Sequence, residues 1–111
     1  MYANLKVWEA SMNLAEAVYT LTKIFPDDEK FGLVSQVKRS AVSIPSNIAE
    51  GKGRSSDKEF KQFLYIARGS LFELRTQLEL ARRLGFVENN IKIKNQIVEV
   101  QSMLNTLINR L

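Results

Sequence analysis

The 111-residue sequence predicts an all-α fold: an antiparallel up-down-up-down four-helix bundle, with residues 1–111 forming a single domain. Three observations carry that prediction. Apolar residues recur at three- and four-residue steps along almost the whole chain. Breaks are confined to short stretches around Phe25-Pro26-Asp27-Asp28, Gly51-Lys52-Gly53-Arg54-Ser55-Ser56 and Gly85. No stretch alternates apolar and polar residues as a half-buried strand would. A chain of this length buries roughly two-thirds of its unfolded surface, enough for one core without cross-links.

The first helical segment is expected from about Asn4 to Ile24. Leu5, Trp8, Met12, Ala15 and Tyr19 form its stripe, and Val7, Leu14, Val18 and Leu21 widen it. Phe25-Pro26 ends it, and Asp27 or Asp28 is a candidate cap for the next helix, with Glu29 near its first turn. The second segment is expected over about Glu29 to Glu50, with the seam Val34, Val37, Ala41, Ile44 and Ile48. Pro45 falls inside it, where a proline removes a backbone donor and crowds the preceding turn. The seam stays in phase to Ile48, which favours one helix kinked at Pro45 over a helix that stops near Ser43. Ser40, Ser43 and Ser46 are candidates to satisfy the freed carbonyls.

Ser55, Ser56 and Asp57 are candidate caps of the third segment, and Ser56 with Glu59 has capping-box spacing. Phe60, Leu64, Ala67, Leu71, Leu74, Leu78 and Ala81 carry its seam to Leu84, where Gly85 supplies a left-handed stop. The fourth segment starts near Glu88 to Asn90, with Asn89 or Asn90 as cap and the seam Ile93, Ile97, Val100, Leu104, Leu107 and Leu111.

Composition narrows the function. The chain has no Cys and no His, which removes disulfides, thiolate nucleophiles, zinc knuckles and every His-based catalytic relay. No catalytic residue, metal site or cofactor is expected, and the chain reads as a non-enzyme. No apolar run reaches about 18 residues and no signal peptide opens the chain, so the expectation is a cytoplasmic protein with no membrane span.

The formal net charge of +4 is uneven. Residues 1–50 carry five basic and six acidic side chains, residues 51–87 eight and four, and residues 88–111 three and two. Beside the third seam runs a second line: Lys61, Tyr65, Arg68, Phe72, Arg75, Glu79 and Arg82. Its basic members recur every seventh residue, so they stack along one side about 10.5 Å apart. Three readings stay open. Lys61, Arg68, Arg75 and Arg82, with Lys52, Arg54 and Lys58 at one end, form a candidate nucleic-acid track. Tyr65 and Phe72 form a candidate subunit interface. Ordinary packing within the chain is the third.

The second segment also carries a polar line, Gln36, Ser40, Ser43, Asn47 and Glu50, facing Ser70, Glu73 and Gln77 on the third. Ser43, Asn47, Glu50, Ser70, Glu73 and Gln77 are expected to form a hydrogen-bonded layer that fixes register. A small polar ligand is the alternative occupant. Gly51-Lys52-Gly53-Arg54 lacks the spacing of a phosphate loop, and no strand precedes it.

The block Ser35-Gln36-Val37-Lys38-Arg39-Ser40-Ala41-Val42-Ser43-Ile44-Pro45-Ser46-Asn47-Ile48-Ala49-Glu50-Gly51 resembles the signature of the four-helix-bundle proteins encoded in 23S rRNA intervening sequences. Gly53-Arg54-Ser55, Glu59-Phe60, the run from Phe63 to Leu71, and Glu73-Leu74 continue the likeness, which also takes in Leu5-Lys6-Val7-Trp8 and Phe31-Gly32-Leu33. Two positions depart from the usual pattern: Arg75, where members commonly have an acid, and Lys52, where an aromatic residue is frequent. Both add positive charge. The resemblance implies a ring-like homopentamer and kinship with the accessory protein of diversity-generating retroelements, which is basic, binds nucleic acid and works beside a reverse transcriptase. The expected partners are therefore further copies of the chain, RNA or DNA, and a partner protein such as a reverse transcriptase. No catalytic residues carry over. The expected role is a nucleic-acid-associated accessory or scaffold protein, with a pure protein-interaction scaffold as the alternative.

Overall fold

The structure, a computed structural model, describes residues 5–111. Four helices make it up: α1 (Lys6–Thr22), α2 (Leu33–Lys52), α3 (Asp57–Arg83) and α4 (Ile91–Arg110). Asn4, the expected start of the first helix, lies outside the described residues. Each helix packs on the next around the bundle, and α4 closes back on α1. The α2–α3 pair has the most extensive contact and α3–α4 the least of these four pairs. The short connections make neighbouring helices run antiparallel. The body measures 43 × 25 × 20 Å.

Local chemistry explains most helix ends. The Ser56 hydroxyl caps α3 by accepting from the Glu59 N–H at 3.2 Å. Gly85, at φ +79°, ends α3: the Phe86 N–H reaches back to the Ala81 carbonyl at 2.9 Å. Asn90 Oδ1 accepts from the Ile93 N–H at 2.9 Å and opens α4. The start of α2 differs from expectation. Asp27–Glu29 form a separate 3-10 turn, so neither Asp27 nor Asp28 caps α2. Gly32 occupies that position, and the Glu29 carboxylate accepts from the Leu33 N–H at 3.1 Å. At its other end α2 runs past Glu50 through Gly51 and Lys52, which were expected in a loop.

The core follows the seams closely on three helices. Val37, Ala41, Ile44 and Ile48 of α2 meet Leu64, Ala67, Leu71 and Leu74 of α3, all fully buried. On α4, Ile93, Ile97, Val100 and Leu104 are buried, and so is Ile108, while the seam residues Leu107 and Leu111 are half-buried. On α1 the expected stripe is rotated. Val7, Ser11, Leu14, Ala15, Val18 and Thr22 are buried, while Trp8 and Met12 are half-buried and Tyr19 is exposed. Two polar residues cause the discrepancy. Ser11 and Thr22 return their hydroxyls to the carbonyls of Trp8 and Tyr19, each at 2.8 Å, and so enter the core without an unpaired donor.

Pro45 is buried inside α2, which continues through it as one helix. At its next-to-last residue, α2 closes tightly on α3. A Cβ on Gly51 would stand 2.6 Å from Phe63 Cβ and 2.9 Å from Phe60 Cδ1. Both neighbours are held by the packed helix pair, so the glycine is a steric requirement. Gly51→Ala is expected to destabilise the bundle by about 1–3 kcal/mol through overpacking. Urea denaturation checks it, and an unchanged midpoint would show that the two helices separate at no cost.

Candidate functional site

The polar layer between α2 and α3 is smaller than expected. Ser43 is its centre: its hydroxyl accepts from Ser70 Oγ at 2.9 Å and from Asn47 Nδ2 at 3.0 Å. Asn47 Nδ2 also donates to the Ser43 carbonyl at 2.8 Å. These three side chains tie α2 to α3 beside the proline. Glu50 instead faces solvent and pairs with Arg54 at 3.1 Å, and Glu73 is exposed. Gln77 is half-buried, and its Oε1 is shielded from solvent without a hydrogen-bond partner.

The basic line of α3 divides by partner. Arg68 Nη1 donates to Asn105 Oδ1 at 3.0 Å, and Arg75 Nη1 donates to Gln101 Oε1 at 2.8 Å. Both arginines thus lean over α4 onto neutral amides and keep their full charge. Each uses one of five N–H donors in that bond. Arg82 makes a paired contact with Glu79, through Nε at 3.0 Å and Nη2 at 2.8 Å. Arg83 joins the same carboxylate at 2.9 Å. Lys61 is half-buried. At the other end of α3, Lys52 lies over the Phe60 ring and Arg54 over the Phe63 ring, with Lys58 exposed beside them.

Glu79 responds to its neighbours. Hydrogen bonds from Arg82 and Arg83, with their charge, lower its pKa from 4.5 to about 2. The same contact raises the Arg82 pKa. These groups edge a cleft of about 840 Å³ between the C-terminal half of α3 and the start of α4, floored by Val87, Ile93 and Ile97.

Tyr65 and Phe72 remain exposed, at 42% and 43%. They are not alone. Leu80, at 47%, extends the same outer face, Gly69 and Thr76 lie between them, and Ile66, at 51%, is exposed about 100° further round the helix. On a helix of 3.6 residues per turn, Tyr65, Gly69, Phe72, Thr76 and Leu80 share the side opposite the buried seam. Arg68 stacks over Tyr65 at 5.1 Å and steadies the ring. A second apolar surface was not foreseen. Trp8, Met12 and Tyr19 of α1 and Val42, Pro45 and Ala49 of α2 line an open groove of about 680 Å³. Its signal lies in the α1 stripe, which periodicity alone places wholly in the core. Likewise Gln101 and Asn105, four residues apart on one face of α4, gave no hint of their arginine partners.

Among the described residues no group of three or more His, Cys, Asp or Glu side chains is placed to hold a metal ion. No described helix is long and apolar enough to cross a membrane. Nothing in the arrangement points to catalysis: among the described residues the acidic groups pair with arginines, cap helix starts or face water, and Ser43 has no adjacent base.

Fold and surface together define a small helical bundle that presents apolar and basic outer faces. The chain belongs to the 23S rRNA-intervening sequence protein family, whose model matches residues 3–106. The crystal structure of a protein of unknown function from the S23 ribosomal protein family of Bacteroides thetaiotaomicron VPI-5482 is similar, with a TM-score of 0.81 and 26% identity. The match covers 92% of this chain and 97% of that one. No curated protein matches the chain.

The lowered Glu79 pKa fixes a direction with pH. Because the folded value lies below the ordinary one, the ion pairs support the native state fully above about pH 4.5 and lose that support as pH falls towards 2. An NMR titration of the Glu79 carboxyl carbon should show a midpoint near 2 that rises with added salt. A midpoint at the ordinary value would mean the two arginines do not hold it in solution.

Proposed function

We propose that this protein is a non-enzymatic interaction scaffold that assembles with further copies of itself through the outer face of α3. The exposure of Tyr65, Phe72 and Leu80 along one side of a single helix carries this reading. That side lies opposite a well-packed seam, so the bundle itself covers only about half of each of these groups. Aromatic residues with flanking arginine match the composition of protein interfaces. A self-associating state also agrees with the ring implied by the family resemblance.

The double variant Tyr65→Ala, Phe72→Ala keeps every buried core residue. Sedimentation should therefore find it as a folded 12.7 kDa monomer where the unaltered chain forms a larger species. An assembly of unchanged size would remove α3 as the contact.

Nucleic-acid association is a second reading, favoured by the uncompensated charge of Arg68 and Arg75 on neutral amide partners. Backbone phosphates would meet these side chains together with Lys52, Lys58 and Lys61, with little reading of base sequence. Replacing Lys61, Arg68 and Arg75 by Gln should weaken RNA binding and flatten its salt dependence by roughly 0.7 log units per lost phosphate contact on a single strand. Anisotropy across a salt series measures both. Equal affinity for the variant would assign these side chains to the protein alone.

A further inference from the structure

Gly69 raises a question that the single chain does not answer. It sits in the middle of a 27-residue helix, exposed, and a Cβ built on it meets nothing within 4 Å. A glycine in a helix interior costs about 1 kcal/mol relative to alanine. Gly51 repays such a cost by letting α2 approach α3. Gly69 has no such use inside the chain. It leaves a bare notch of backbone between Tyr65 and Phe72, in the centre of the exposed apolar ridge.

The same chain carries a concave apolar surface that suits this ridge. The α1–α2 groove is lined by Trp8, Met12, Tyr19, Val42, Pro45 and Ala49. Charge also matches. Lys61, Arg68 and Arg75 flank the ridge at seven-residue spacing. Glu16 edges the groove, and Glu9 stands seven residues before it, exposed on the same helix. Two rows with one repeat of about 10.5 Å can pair row against row. Arg68 and Arg75 retain unused donors for this, since each gives only one N–H to its amide partner.

We infer that the α3 ridge of one copy docks head-to-tail in the α1–α2 groove of the next, with Gly69 at the point of closest approach. This rests on the self-association proposed above and names what covers the ridge. Ridge and groove are different surfaces, so the contact is heterologous and closes into a ring when the rotation per copy permits. It predicts that a ridge-deficient copy still offers a sound groove and that a groove-deficient copy still offers a sound ridge.

Mixing two variants tests it. Tyr65→Ala, Phe72→Ala removes the ridge, and Val42→Glu, Ser46→Glu charges the groove at two exposed positions of α2. Circular dichroism first confirms that both are helical. Each alone should sediment as a monomer, and the mixture should give a one-to-one dimer that grows no further. If the groove variant assembles as the unaltered chain does, the groove is not the seat, while the α3 interface stands. If the unaltered chain is itself monomeric, both proposals fail together. Gly69→Ala adds a test by sign. In the monomeric ridge variant it should raise Tm, because the methyl meets nothing and the helix gains. In the unaltered background it should shift the assembly towards smaller species. Unchanged association would place the closest approach elsewhere.

Discussion

The close approach of α2 and α3 governs the rest of the molecule. Gly51 admits Phe60 and Phe63 to within a distance that any side chain would block. Farther along, Ser70 reaches Ser43, and Asn47 holds Ser43 in turn. These contacts set the rotation of α3 about its own axis. With that rotation fixed, Leu64, Ala67, Leu71 and Leu74 face the core, Arg68 and Arg75 lean over α4, and Tyr65, Gly69 and Phe72 face outwards. A rotation of one residue, about 100°, would bury a different set and redirect every arginine. The polar bridge also helps a helix that contains a proline to keep its place, because the Ser43–Ser70 bond anchors α2 two residues before Pro45.

The third helix distributes its charge in ways that composition alone conceals. A net +4 looks like one electrostatic property. In the structure Arg82 and Arg83 share the Glu79 carboxylate, Arg54 pairs with Glu50, and Arg68 and Arg75 bond to amides across α4. The first set cancels charge in part, three arginines meeting two carboxylates. The second keeps it and orients it, which is why Arg68 and Arg75 matter more to a polyanion or an acidic neighbour than their number suggests. The exposed pairs contribute little to stability, since solvent screens them. The side-chain bridges at Asn105 and Gln101 span the α3–α4 pair, where helix contact is least extensive.

Much of this was legible in the residues. A heptad seam from Phe60 to Ala81 leaves one orientation for α3, and Ser56, Asn90 and Gly85 mark ends that the structure keeps. The α1 stripe was not legible, because hydropathy counts Ser11 and Thr22 as polar. Their hydroxyls bond back to the helix and vanish from the polar ledger, which turns the core line away from Trp8, Met12 and Tyr19. Asp27 and Asp28 failed as caps for a related reason. A capping acceptor must sit immediately before the first helical residue, and the 3-10 turn after Pro26 takes up Asp27 and Asp28 so that α2 starts only at Leu33. The partners of Arg68 and Arg75 were hidden because pairing between helices depends on relative rotation and axial shift, which periodicity within one helix does not encode.

The α1 rotation that sequence pattern missed is also what gives the molecule a second apolar surface. Had Trp8, Met12 and Tyr19 filled the core, α1 and α2 would enclose no apolar groove to receive the ridge of α3. A protein with a lone self-complementary face pairs by two-fold symmetry and stops at a dimer. A protein with a ridge and a separate groove adds copies in one direction, and the series closes into a ring only when the rotation per copy permits. Burying Ser11 and Thr22 therefore does more than fill space inside α1. It moves three large apolar side chains to the boundary with α2, where they create a seat distinct from the ridge. In the docking proposed above, the seat for the ridge is then set by the core of α1, a helix that does not carry the ridge at all.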